Sequence, residues 1–148
     1  MNPDDLADAV ESAATRLDAL RRSGAIFWID LLGPVETGPN RLKTADALYG
    51  GRTLVTGLDA LGESWTRAFT RTGRTMGAFE GLFPKRAQRA EPEFLLSWIV
   101  LLVEDTLGPV RSAWRVRHRP KSWYAAIWND FLLIGDEQAV VLSLTNDS

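Results

Sequence analysis

One histidine, no cysteine and 19 carboxylates supply the acid–base and ligand chemistry open to this chain. Without a thiol there is no thiolate metal site, iron–sulfur cluster, disulfide or cysteine nucleophile, and one imidazole excludes any site built on two histidines. That histidine, His118, sits within Arg117-His118-Arg119, with no carboxylate close in sequence to orient it as a Ser-His-Asp hydrolase requires. It reads as a solvent-facing or rim residue at a strand end. Two carboxylates stand among apolar residues. Asp30 lies inside Ala25-Ile26-Phe27-Trp28-Ile29-Asp30-Leu31-Leu32, and Asp130 lies between Trp128 and Phe131. Carboxyls desolvated by aromatic rings are the raw material of general acids. The simpler reading has Asp30 closing a strand and Asn129-Asp130 forming a turn. Tyr49-Gly50-Gly51-Arg52-Thr53 lacks the Lys-Ser/Thr of a phosphate-binding loop, and neither G-x-G-x-x-G nor G-x-S-x-G occurs. No catalytic residue, metal or cofactor is expected, and the balance leans away from an enzyme.

Binding chemistry is better represented. There are six tryptophans, at 28, 65, 98, 114, 123 and 128. Trp28, Trp65, Trp98 and Trp114 fall on faces expected to be buried. Trp123, Tyr124 and Trp128 follow Arg119-Pro120-Lys121 and form the best candidate for an exposed aromatic surface, since Trp and Tyr are frequent interface anchors. Of the 17 basic residues only Lys43, Lys85 and Lys121 are lysines. Residues 1–20 carry net charge −4, residues 64–120 carry +5, and residues 121–148 carry −3, within a total of −2. A near-neutral chain therefore hides a basic middle. Within it Arg67, Arg71 and Arg74 are spaced to line one helix face, Lys85, Arg86 and Arg89 follow, and Arg111, Arg115 and Arg117 share one face of a strand.

The elements that must position these residues are read from periodicity and end signals. Leu6, Val10, Ala13, Leu17 and Leu20 make one helical stripe, opened by Asn2-Pro3-Asp4-Asp5 and stopped at Gly24. Residues 25–32 read as a buried strand and 33–40, with two Gly-Pro steps, as a loop. Residues 41–49 suggest a short helix, 53–56 a short strand and 58–72 a helix. The glycine-punctuated stretch 73–90 reads as an irregular connector. Residues 92–107 are apolar almost all round, and Pro92-Glu93 and Gly108-Pro109 mark them as a helix, largely buried, with Trp98 and Leu102 at its centre. Val110 to His118 alternates strictly, as a half-buried strand does. Residues 122–129 fit a short helix or a strand, and 131–134 with 139–144 fit a hairpin.

The resulting class is α+β: one domain over residues 1–148, with helices in the first two thirds packed on a C-terminal antiparallel sheet. Length and a 45% hydrophobic content suit a soluble, self-sufficient core. No secretory leader pattern and no apolar run of about 20 residues is seen, so no membrane association is expected and a cytoplasmic setting is the default. The arginine bias, with many Ala and Gly, suggests a bacterial source. The primary functional expectation is a non-enzymatic interaction protein that binds a protein partner through an Arg/Trp-rich surface. That surface comprises Arg67, Arg71, Arg74, Arg111, Arg115, Arg117, Trp123, Tyr124 and Trp128. The alternatives are a nucleic-acid-binding domain using the two arginine stripes, and a small-molecule binder or carboxylate-based enzyme.

Overall fold

In the computed structural model of the chain, residues 1–21, 26–79 and 86–147 are described, 86–89 by backbone alone. The elements run α1 (Pro3–Leu20), β1 (Ile26–Glu36), α2 (Arg41–Tyr49), β2 (Thr53–Ala60), α3 (Trp65–Met76), α4 (Arg86–Leu107), β3 (Ser112–Pro120), β4 (Ile127–Ile134) and β5 (Gln138–Asp147). The five strands form one antiparallel sheet in the order β1-β5-β4-β3-β2. The class is α+β, as the sequence indicates. Its two edge strands, however, come from the first half of the chain.

Local signals explain most boundaries. Asn2 caps α1 by accepting from the Asp5 amide at 3.0 Å, and Asp4 and Asp5 sit in the first turn. The expected stop at Gly24 lies outside the described residues. Asn40 caps α2, and Gly50 in the left-handed conformation ends it. The helix expected over 58–72 instead starts at Trp65. Leu58 and Leu61 mimic a helical spacing, but residues through Ala60 pair with β3, and Ser64 caps α3 through the Arg67 amide. β1 runs past Leu32, through the register shift at Gly33-Pro34, to Glu36, so the first half of the expected 33–40 loop is strand. α4 begins at Arg86 rather than 92, because Pro92 removes only one intrahelical hydrogen bond and is carried inside the helix. Arg86 and Arg89 therefore belong to this helix and not to a connector, and Lys85 lies outside the described residues.

Alternation along the strands gives the sheet two different faces. One presents Phe27, Ile29, Leu31, Phe131, Leu133, Val140, Leu142 and Leu144 to a layer of α1, α4 and α3. Each such side chain contributes roughly 1.5–3 kcal/mol by leaving water. α4 is the central helix of this layer and buries Leu96, Ile99, Leu102, Val103 and Leu107. Gly73 lets α3 approach it, since a Cβ there would meet the Leu96 side chain at 2.6 Å. The Asn146 amide donates to the Met76 carbonyl at 2.7 Å, fastening the end of α3 to β5.

The opposite face carries Leu32, Val116, Leu132, Ile134, Ala139 and Val141 under α2. α2 is only nine residues long and covers part of this face. The chain between β3 and β4 reaches this face too, through Tyr124, and beside it the polar residues collect.

Candidate functional site

The strand registers arrange this second face in rows. Asp30 pairs with Ser143, which pairs with Asp130; one step on, Trp28, Thr145 and Trp128 make the next row. Period-two geometry puts all six side chains on the α2 face. The same chemistry thus occurs twice, as Trp28-x-Asp30-x-Leu32 and Trp128-x-Asp130-x-Leu132. That repeated pattern is the sequence signal that could have identified this surface.

Cover makes the two aspartates differ. Asp130 is 1% exposed and surrounded by partners. The Tyr49 hydroxyl, at the end of α2, donates to its Oδ2 at 2.6 Å. Ser143 donates to Oδ1 at 2.8 Å, and the Tyr124 hydroxyl lies 3.0 Å from Oδ2 and 2.5 Å from Ser143 Oγ. His118 Nε2 is 2.9 Å from Oδ2, an electrostatic contact off the direction a hydrogen bond needs. Nδ1 meets the Thr53 hydroxyl at 2.8 Å. The His118 ring packs between those of Tyr49, Tyr124 and Trp128, with centroids 4.9, 5.0 and 5.5 Å away.

Two expectations are corrected here. His118 is buried and not on a rim, because β3 brings it toward a carboxylate on β4, twelve residues on, that no local reading finds. Asp130 is inside β4 and not in a turn. The segment 122–129, open between helix and strand, is irregular until β4 begins at Ile127.

The cluster is a buried hydrogen-bonded lock. Burial, then the charge of Asp130, push the Tyr49 and Tyr124 hydroxyls well above the usual tyrosine range. Both stay protonated donors at neutral pH. Ser143 donates to Asp130, and His118 faces Asp130 rather than the serine. Among the described residues, no three His, Asp or Glu side chains converge as a metal site requires.

Beside the lock lies a cleft of about 370 Å³ whose lining includes Trp28, Asp30, Arg52, Lys121, Trp123 and Tyr124. Its walls are tied together by the Lys121 amide donating to the Arg52 carbonyl at 3.1 Å. Asp30 is raised from the ordinary carboxylate range because partial burial outweighs the opposing pull of the Leu31 amide and of Arg52. Trp123, 76% exposed, stands at the cleft's edge, as expected of an exposed aromatic. Tyr124 and Trp128 instead turn inward to the lock.

The arginine stripes are mostly engaged. Arg71 pairs with Glu63, Arg74 with Glu93, Arg111 with Asp136 and Arg117 with Asp59. Arg115 donates to the Asn129 amide oxygen and lies over the Phe131 ring. Arg67 is exposed, with no side-chain partner among the described residues. Arg67, Arg71 and Arg74 lie along α3, and Arg115 and Arg117 alternate along β3, whereas Arg111 precedes that strand, which begins at Ser112.

The helical layer carries the largest departure from expectation. Trp98, expected at the buried centre of its helix, is 42% exposed, and Phe94 and Leu101 are 63% and 57% exposed. Leu102 is buried, as anticipated. α4 is apolar on both sides: the sheet takes Leu96, Ile99 and Val103, and the outer side keeps Phe94, Trp98 and Leu101 at i, i+4 and i+7. The Phe94 and Trp98 rings stack 6.3 Å apart. Shallow grooves flank this stripe, one against Ala9, Ser12 and Ala13 of α1 and one against Arg67, Thr70 and Arg74 of α3.

No protein-family model, curated protein or solved structure matches this chain. Among the described residues, no helix is long and apolar enough to cross a membrane.

Proposed function

We propose that the chain is a non-enzymatic interaction module that docks a partner protein on the outer face of α4. The observation that carries this reading is the exposed row Phe94, Trp98 and Leu101 on the middle helix of a packed layer. Large apolar side chains in contiguous patches, with Trp at the centre and Arg on the rim, are the composition of interface hot spots. The i, i+4, i+7 geometry matches a helix laid along the grooves beside α4. Arg67, on the α3 edge of that groove, favours an acidic flank on the incoming helix. An antiparallel pairing of two copies through α4 would instead set one Arg67 edge against the other. The ion pairs already made by Arg71, Arg74, Arg111 and Arg117 favour a protein partner over nucleic-acid phosphates.

The test is selection of peptides from a random display library on the immobilised protein, with the Phe94→Ala/Trp98→Ala double variant as counter-selector. The expected consensus is an amphipathic helix with acidic residues beside its apolar stripe, and Arg67→Glu should weaken its binding. Absence of enrichment, a consensus indifferent to the double variant, or a basic consensus would overturn the proposal. Concentration-dependent dimerisation lost in the double variant would assign the face to a second copy instead.

A further inference from the structure

The cleft on the other face of the sheet has a charge pattern that the α4 surface does not explain. Its lining carries Asp30 together with Arg52 and Lys121. These three groups line one cavity, yet among the described residues no ion pair joins the carboxylate to either cation, and Lys121 has no side-chain partner. Arg52 uses Nε on the Tyr49 carbonyl, which fixes its stem, and among the described residues its forked end makes no hydrogen bond. The arginines of the two stripes are largely ion-paired with acids; among the described residues Arg52 and Lys121 make no ion pair. Trp28 and Trp123 supply aromatic wall, and among the described residues the Ser122 and Thr145 hydroxyls have no partner. The floor behind is rigid, because Tyr124 and Ser143 are held by the Asp130 lock.

A ligand bearing only an anion would meet Arg52 and Lys121 but also the Asp30 carboxylate. A ligand bearing only a cation would meet the reverse. Both halves are satisfied together by a molecule with a carboxylate and an ammonium close to each other. We infer that the cleft formed by Trp28, Asp30, Arg52, Lys121 and Trp123 binds a small zwitterion of amino-acid type with a planar or apolar side chain. The carboxylate lies toward the Arg52 fork and Lys121, the ammonium toward Asp30, and the side chain against the tryptophans. Bidentate recognition of a carboxylate is what a guanidinium fork provides. A volume of about 370 Å³ falls within the range of small-molecule sites and takes one residue-sized ligand.

The experiment uses three probes against the ¹⁵N-labelled whole protein: L-phenylalanine, 3-phenylpropionate and phenethylamine. They share the aromatic group and carry both charges, the anion alone or the cation alone. The zwitterion should give saturable shifts at the Trp28 and Trp123 indoles and bind at least about tenfold tighter than either half-ligand. Asp30→Asn should abolish its advantage over 3-phenylpropionate, and Arg52→Gln its advantage over phenethylamine. Trp98→Ala should change neither, which separates this site from the α4 surface. No saturable shift up to about 20 mM L-phenylalanine, where even a millimolar ligand saturates, would overturn the inference. So would a half-ligand that binds as tightly as the zwitterion, or binding unaffected by both cleft substitutions.

Discussion

Replacing Asp130 by Ala should be the most damaging single polar substitution in this protein, and replacing Asp30 by Ala one of the mildest. The two residues occupy equivalent places in Trp-x-Asp-x-Leu strands and flank the same Ser143. Only their surroundings differ. Loss of the Asp130 carboxylate strands the buried hydroxyl of Tyr49, takes one of two partners from Ser143 and removes the carboxylate beside His118 Nε2. A buried donor left unsatisfied costs about 1–3 kcal/mol. Tyr49 loses its acceptor outright, whereas Tyr124 and Ser143 retain each other, so a loss of about 2–4 kcal/mol is expected. Against a typical total of about 5–15 kcal/mol, that removes a large part of the stability. Asp30→Ala, at an exposed site, should stay within about 0.5 kcal/mol. Urea unfolding followed by far-ultraviolet circular dichroism measures both. A loss under about 1 kcal/mol for Asp130→Ala, or equal losses at the two sites, would refute the distinction between lock and cleft.

Four further outcomes follow from the same geometry. The only two tyrosines both sit in the lock, so absorbance at 295 nm should show no ionisation of the folded protein near pH ~10, the ordinary tyrosine value. Their hydroxyls are raised in the fold, so stability should hold below the unfolded tyrosine pKa and fall as pH rises above it. A Tyr49→Phe/Tyr124→Phe variant should flatten that alkaline slope, and a normal titration of either tyrosine in the native state would contradict the burial argument. Because Asp30 is raised in the fold, its contribution is present below the unfolded carboxylate pKa and is lost as pH rises through the folded one; Asp30→Asn should therefore gain stability relative to wild type between pH 4 and 7, read from unfolding midpoints. Leu102→Ala should cost about 2–5 kcal/mol, whereas Trp98→Ala should cost under about 1 kcal/mol, and comparable losses would mean the outward face of α4 is misassigned.

The parts of the fold legible in the sequence had local causes. The Asn2 cap and Leu6–Leu17 stripe announce α1, Asn40 and Gly50 bracket α2, and Gly135-Asp136 marks the turn between β4 and β5. Residues whose setting depends on distant partners were read less well. The carboxylate beside His118 comes from another strand, so its neighbours in sequence, both arginines, pointed to solvent. Trp98 lies outward against expectation because an all-round apolar helix gives no periodic sign of which side faces the sheet. Apolar character alone cannot distinguish a core from an uncovered surface. Leu58 and Leu61 three apart fit the helical period that Trp65, Ala68 and Phe69 continue, so the stretch 58–72 reads as helix, and only the pairing of β2 with β3 carries the strand through Ala60. The paired Trp-x-Asp-x-Leu segments carried the missing information about the second face, since identical patterns in strands flanking one central strand place like residues side by side.

The most direct test of the docking surface is the affinity of the display-selected acidic peptide for wild type and for Trp98→Ala, measured by calorimetry with unfolding midpoints recorded alongside. A hot-spot tryptophan contributes about 2 kcal/mol or more, equivalent to at least about 30-fold in Kd. The predicted result is a loss of that size with the unfolding midpoint nearly unchanged. A change in Kd of less than about threefold, or a loss of affinity that merely tracks a loss of stability, would contradict the assignment of the α4 face as the partner-binding surface.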